Sequence, residues 1–284
     1  MGEQTNGKKK RRISKDLRWT LAAVLICAFI WWNNSALTVE RVSVEAPVEE
    51  SIRIVQLSDL HGAWFGPEQT RLAAHVRAEN PDVIALTGDF IDVRHDERAA
   101  ASLLEALADI APVYFVPGNH EYRAMRAGTG AYERLLQAIG QMGNVHILRG
   151  ETVPLGEGAA LTGADERDFA GGEEEYRGYI GDLSVQSDER YNILLAHRPI
   201  FFDDYAAAGF ELTLAGHVHG GQFRLPFAGG VFTPDEGFFP EFDAGLYEHE
   251  SGARMYINRG LGNSAFPLRL FNRPEIAVIE IVPE

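Results

Sequence analysis

The sequence predicts an α/β fold built on a mixed β-sheet, and three patterns carry that expectation. Apolar runs of strand length recur along the chain, helical patterns separate the early ones, and nearly every run ends in a short cluster of Asp, His, Asn and Gly. Alternating strands and helices gather the loops after the carboxyl ends of parallel strands on one side of a sheet, where α/β proteins bind ligands. With 45% hydrophobic and 24% charged residues among 284, the chain can bury a full core.

Taken in order, residues 1–18 form a basic tail, with Lys8, Lys9, Lys10, Arg11, Arg12, Lys15 and Arg18 against Glu3 and Asp16. Residues 19–39 carry no charge and are apolar from Leu21 to Trp32, with Trp19 at one end and Trp31 and Trp32 at the other. As a helix rising ~1.5 Å per residue this window reaches about 30 Å, one hydrocarbon core, and the tryptophans stand where interfacial aromatics belong. The expectation is an uncleaved, single-pass transmembrane signal anchor. Basic residues before it and Glu40, Glu45, Glu49 and Glu50 after it put the N-terminus in the cytoplasm and the catalytic body on the far side of the cell membrane. A cleaved signal peptide, a twin-arginine export signal on Arg11 and Arg12, and a monotopic helix with a cytosolic body are the competing readings.

Residues 40–50 alternate and read as a tether or a short edge strand, and residues 51–284 as one domain. Within it, strands are expected at 52–57, 83–87, 113–116, 145–148, 193–196, 212–215, 255–257 and 276–281, and helices at 68–79, 97–109 and 131–139. The first half therefore reads βαβα, while the closer spacing of the later strands makes the sheet mixed. The acidic run from Asp165 to Asp168 and Glu173 to Glu175 reads as a solvated loop and helix start. His75, His95, His146 and His249 read as ordinary surface or core histidines.

Charge and cysteine content exclude several functions. The net charge is −15, and once the basic tail is set apart the remainder carries about −20, which repels a nucleic-acid backbone. An anionic substrate must therefore be drawn in by local positive charge. The single Cys27 rules out a disulfide framework and Cys-rich metal sites, leaving His, Asp, Glu and Asn as metal ligands. Nothing in the sequence calls for an obligate protein partner.

The polar clusters supply those ligands. Asp59 and His61 follow the first strand on alternate positions, and His217 and His219 repeat that spacing later. Asp89, Asn119 and His197 each follow a further strand. Seven oxygen and nitrogen donors exceed one tetrahedral site and suit two divalent ions (Mn, Fe, Zn or similar) sharing a bridging carboxylate.

The motifs Asp59-Leu-His61, Gly88-Asp89-Phe-Ile-Asp92, Gly118-Asn119-His120-Glu121, His197 and Gly216-His217-Val-His219 stand in one order across the chain. In this the sequence resembles the calcineurin-like metallophosphoesterase superfamily. The resemblance implies a four-layer α/β/β/α sandwich of two mixed sheets flanked by helices. It implies that Asp59, His61, Asp89 and His219 hold one metal and Asp89, Asn119, His197 and His217 the other. It also implies that His120, oriented by Asp92, donates a proton to the leaving group while the two ions activate the attacking water.

Two departures bear on substrate. The phosphoprotein phosphatase branch has Arg where this chain has Val93 and Pro117, so a clamp on a dianionic monoester is missing and a phosphodiester or pyrophosphate fits better. Arg94 and Arg123 are the nearby cations able to substitute, and Arg198, Arg259 and Arg269 are further candidates for substrate phosphate. The tail around Asn258-Arg-Gly-Leu-Gly262, Pro267-Leu-Arg-Leu270 and Pro274-Glu-Ile276 is similar to a bacterial membrane-anchored phosphodiesterase branch related to UDP-2,3-diacylglucosamine hydrolases, which implies a lipid-linked or cell-envelope substrate and a membrane partner. The aromatic-rich segment 220–254 reads either as an apolar recess for an acyl chain or as a small satellite core. A phosphomonoesterase and a non-catalytic metal-binding membrane protein that kept the fold are the alternative functions.

Overall fold

Strands buried on both faces carry unbroken apolar runs, and the computed structural model shows which face each residue takes. It describes residues 15–166, 172–183, 185, 190–263 and 266–284. In β2 (Ile52–Leu57), Ile52 and Ile54 enter the core between two sheets, whereas Val55 and Leu57 enter the core under the helices. In β3 (Val83–Thr87), Val83 and Ala85 divide from Ile84 and Leu86 in the same way.

The first sheet has the order β1 (Thr38–Ala46), β16 (Glu275–Pro283), β2, β3, β4 (Val113–Val116), β5 (Val145–Ile147). All its neighbours are parallel except β16 and β2. The second sheet has the order β14 (Gly245–Glu248), β15 (Arg254–Ile257), β9 (Leu212–Ala215), β8 (Tyr191–Leu195), β7 (Ala159–Gly163), β6 (Thr152–Leu155), with antiparallel pairs only at its two edges. Ile54, Ala85, Ala277 and Ile279 of the first sheet meet Leu161, Ile193, Leu195 and Leu214 of the second.

Helices α2 (Thr70–Ala78), α3 (Arg98–Ala108), α4 (Asn119–Arg126) and α5 (Ala131–Ile139) cover the first sheet through Leu72, Leu103, Tyr122 and Leu135. Helices α6 (Glu173–Asp182) and α7 (Phe202–Ala207) cover the second through Tyr176, Ile180 and Tyr205. The result is the expected mixed α/β sandwich of two sheets with flanking helices. Two short ladders, β10 (Arg224–Leu225) with β11 (Gly229–Gly230) and β12 (Phe232–Thr233) with β13 (Gly237–Phe238), lie in the aromatic-rich segment.

The N-terminal expectation needs correction. Residues 15 onward form helix α1 (Lys15–Ser35), and no described helix is long and apolar enough to cross a membrane. The reason lies at its ends. Lys15, Asp16 and Arg18 occupy the first turn, while Asn33, Asn34 and Ser35 bond back to carbonyls four residues earlier in the last. The uninterrupted apolar stretch is therefore about 18 Å long, well short of a ~30 Å hydrocarbon core. The last turns pack on the body instead: Phe29 lies 5.3 Å from Phe271, and Arg273 stacks over Trp32 at 4.8 Å. Asn34 exchanges hydrogen bonds with the backbone of Arg269 at 2.8 and 3.2 Å. Residues 38–46 are the edge strand β1, paired along its whole length with β16, so the chain enters the first sheet without a free tether. Residues 1–14 of the basic tail lie outside the described residues.

Candidate metal centre

The carboxyl ends of β2, β3, β4, β8 and β9 deliver the candidate ligands. Asp59 and His61 leave β2, Asp89 leaves β3, Asn119 opens α4 directly after β4, His197 leaves β8, and His217 and His219 leave β9. Asp59 (φ 52°), His61 (45°), Asp89 (60°), His217 (70°) and His219 (49°) all adopt left-handed backbone conformations. Non-glycine residues avoid this region, at a cost of order 1–3 kcal/mol each, so the surrounding packing must impose it. Gly216 lets the β9 loop approach closely enough, since a Cβ there would lie 1.9 Å from Ser58 Oγ and 2.6 Å from Asp59 Oδ2.

Asp89 is held from behind. Its Oδ1 accepts the His120 amide at 2.8 Å, and its own N–H, with those of Phe90, Ile91 and Gly118, donates to the buried Glu121 carboxylate at 2.7–3.1 Å. Its Oδ2 faces His197 Nε2 at 3.1 Å and His61 Nε2 at 3.7 Å. On one side of Asp89, His61 Nε2 lies 3.2 Å from His219 Nε2, with Asp59 Oδ1 3.5 Å from the latter. On the other side, His197 Nε2 lies 3.1 Å from His217 Nδ1, while His197 Nδ1 donates to the Thr87 carbonyl at 2.6 Å. Asn119 Oδ1 is buried without a hydrogen-bond partner.

Imidazole nitrogens that converge on one another and on carboxylate oxygens form a set of electron-pair donors that protons or cations must hold together. Divalent cations satisfy such a set. The residues present therefore fit two ions, with Asp59, His61 and His219 in one group, His197 and His217 in the other, and Asp89 Oδ2 facing both. His61, Asp89 and His120 also lie within ligand distance of one another.

Protons take the place of cations in the electrostatics of this cluster. Burial alone would lower His197, but Asp89 outweighs it and pushes the imidazole up to about 10. His61 is raised despite burial by Asp92, Asp89 and Asp59. Glu121 is pushed up to about 7 by burial and by Asp89, and His120 down to about 4, chiefly by burial. Cations require neutral imidazoles, so the raised His197 and His61 must deprotonate when ions bind. The expected result at pH 7 is release of protons as ions bind and an affinity that falls as pH is lowered, because protons compete for the raised histidines. Calorimetric Mn²⁺ titrations in two buffers of different ionisation enthalpy measure this, and zero release would show that neither histidine gives up a proton to an ion.

Several assigned roles change. Asp92 does not reach His120, and no hydrogen bond joins them among the described residues. Its Oδ2 lies 3.7 Å from His61 Nδ1, and its Oδ1 accepts the amides of Arg94 and His95 and faces His95 Nδ1. Asp92 therefore backs a metal ligand, while His120 Nδ1 is buried without a partner and its Nε2 faces Arg123 at 3.3 Å. The three substrate arginines are committed elsewhere. Arg198 pairs with Glu166 and Asp235, and Arg259 with Glu275 and Glu40. Arg269 is fully buried against the carbonyls of Gly262 and Arg259 and against His219 Nδ1. Asp165 and Glu166, expected in a solvated loop, are buried on Tyr122 and Arg198, while Asp168 lies outside the described residues.

Sequence reasoning gave no role to Glu121 or Asp235. Glu121 carried a signal in its motif position, four amides being within its reach. Asp235, 3.1 Å from His217, sits in a Pro-Asp-Glu-Gly stretch that reads only as a turn.

A family model described as calcineurin-like phosphoesterase matches residues 52–221. The uncharacterized metallophosphoesterase YkuE of Bacillus subtilis is 33% identical over 242 residues, covering 82% of this chain and 79% of the relative. The phosphodiesterase YaeI of Escherichia coli is 29% identical over 236 residues, covering 81% and 82%. A Bos taurus transmembrane protein with metallophosphoesterase domain is 31% identical over 300 residues, covering 94% of this chain and 63% of the relative.

Proposed function

This chain belongs to the calcineurin-like phosphoesterase family, a metal-dependent hydrolase of phosphoric esters, and from that premise we propose that it cleaves phosphodiester or pyrophosphate bonds of an amphiphilic substrate at a membrane surface. The observation that carries the hydrolytic reading is the pair of ligand groups joined at Asp89. Two divalent ions held there supply Lewis-acid charge opposite a phosphoryl group and lower the pKa of a water molecule. The chain's own part is to orient. Glu121 fixes the Asp89 loop, Asp92 stands behind His61, and His120 stands beside the cluster with Nε2 accepting from Arg123, so that it would pass a proton to the departing oxygen after taking one up with the bound phosphate.

The choice of diester rests on charge. Val93 and Pro117 leave no guanidinium where a monoester clamp would sit, and Arg198, Arg259 and Arg269 are held by internal partners. Arg123 remains as an exposed cation beside the ligands, and a single cation suits a single anionic charge. The name of the Escherichia coli relative supports the same choice.

Membrane attachment rests on α1. Trp19, Val24, Leu25, Ile26 and Trp31 are exposed along it, and Phe266 and Phe271 are exposed where its end meets the body. The helix is apolar around most of its circumference rather than on one side, and this exposed surface behind a basic first turn supports contact with a membrane. The names of the transmembrane relatives support this reading. In the 220–254 segment, Phe242 packs with Tyr247 in a small cluster as the satellite-core reading has it, while Phe227, Phe238 and Phe239 are exposed.

One experiment tests the proposal: turnover of bis(p-nitrophenyl) phosphate and p-nitrophenyl phosphate with Mn²⁺, each with and without anionic lipid vesicles. The expected result is preference for the diester and recovery of the protein with the vesicles. Preference for the monoester overturns the substrate class, and protein left in the supernatant overturns the attachment.

A further inference from the structure

We infer that Asp235 is a positioning residue that fixes the His217 imidazole and ties the 220–254 segment to the His197 side of the metal centre. His217 turns Nδ1 toward His197 and the Asp89 oxygen. Its other ring nitrogen, Nε2, lies 3.1 Å from Asp235 Oδ2. The contact is at ion-pair distance without hydrogen-bond alignment, and Nε2 makes no hydrogen bond to another described residue. A carboxylate behind a metal-bound imidazole sets its tautomer and plane and raises its basicity as a ligand.

Asp235 is itself braced. Its Oδ1 accepts Arg198 NH1 at 2.6 Å, and Arg198 Nε is shared between both oxygens of Glu166 at 3.1 Å each. Glu166 is fully buried and follows β7, Arg198 follows β8, and Asp235 comes from the segment beyond β9. Three stretches distant in sequence are thus locked by one chain of charge that ends on a metal ligand. Asp92 stands behind His61 in the same way on the other side, whereas His197 is braced only by a backbone carbonyl. Affinity for the ion at His217 is therefore set by how firmly the 220–254 segment is seated.

This inference rests on His217 being a ligand, and the test separates the two. Mn²⁺ binding is titrated in the full chain and in Asp235→Ala, Asp235→Asn and His217→Ala, with thermal melts alongside. Asp235→Ala is expected to weaken one of two ions by roughly 10–100-fold and leave the other unchanged. Asp235→Asn falls between, because its one carbonyl oxygen cannot serve Arg198 and His217 together. Two ions bound to Asp235→Ala as tightly as to the unaltered chain, with a lowered melting temperature, overturn the inference and leave Asp235 an ion-pair partner of Arg198. Two unweakened ions in His217→Ala overturn the ligand assignment itself.

Discussion

Asp89→Ala is expected to reduce turnover by at least ~10³-fold and to weaken both ions, an effect larger than loss of any other single ligand. Asp89 Oδ2 faces His197 on one side and His61 on the other, so removing it takes an oxygen from each ligand group and leaves two positive charges facing each other without a bridge. Lewis-acid stabilisation of a phosphoryl transition state is worth several kcal/mol, and ~4 kcal/mol corresponds to about 10³ in rate. Asp59→Ala, by contrast, removes a ligand from one group only and merely a backbone contact, the His217 amide at 3.0 Å, from the other, and is expected to weaken the ion at His197 much less. Metal analysis and single-turnover rates of the two variants check this. Equal loss of both ions in each variant would show that the two halves do not bind separately.

His120→Ala is expected to lower kcat by roughly 10²–10⁴-fold on a substrate with an alkoxide leaving group, and far less on a p-nitrophenyl ester, with two ions retained. The reason is leaving-group basicity: p-nitrophenolate departs without help, whereas an alkoxide needs a proton as the bond breaks. His120 is pushed down to about 4, chiefly by burial, so the proton is not held in the free site and must be supported by the negative charge of the bound phosphate. Asp92 cannot support it, being engaged with His61 and His95. Loss of an ion in this variant would instead make His120 a ligand beside His61 and Asp89, a geometry their spacing also permits.

What was legible in the sequence was local. Each ligand follows a strand end within a short motif, and strands buried on both faces announce themselves by apolar runs, continuous to Leu86 in β3 and broken only at Arg53, Gln56 and Asn192 in β2 and β8. The edge strand β6 and its neighbour β7 were not read, since in β7 Ala159, Ala160 and Gly163 carry little strand preference and are held there by pairing with β8. Side-chain partners across long separations were not legible either. Arg269 reads as a phosphate ligand by charge, yet Asn34 and His219 draw it into a buried site. Asp92 reads as the partner of His120 by motif, yet the left-handed turn at His61 brings that ring nearer. Asp235 has no motif at all, because its meaning depends on a ring 18 positions earlier and on a buried glutamate from another strand.

The ligand groups join residues far apart along the chain, His61 with His219 across 158 positions and His217 with Asp59 across as many. Contacts of that span form only after the intervening loops have closed, which is the slow part of folding in mixed α/β chains. With five ligand backbones held in conformations that short peptides avoid, no early fragment presents a usable site. Cations therefore arrive at a finished double sheet and stabilise it by mass action, raising its resistance to unfolding without guiding the route by which it folds.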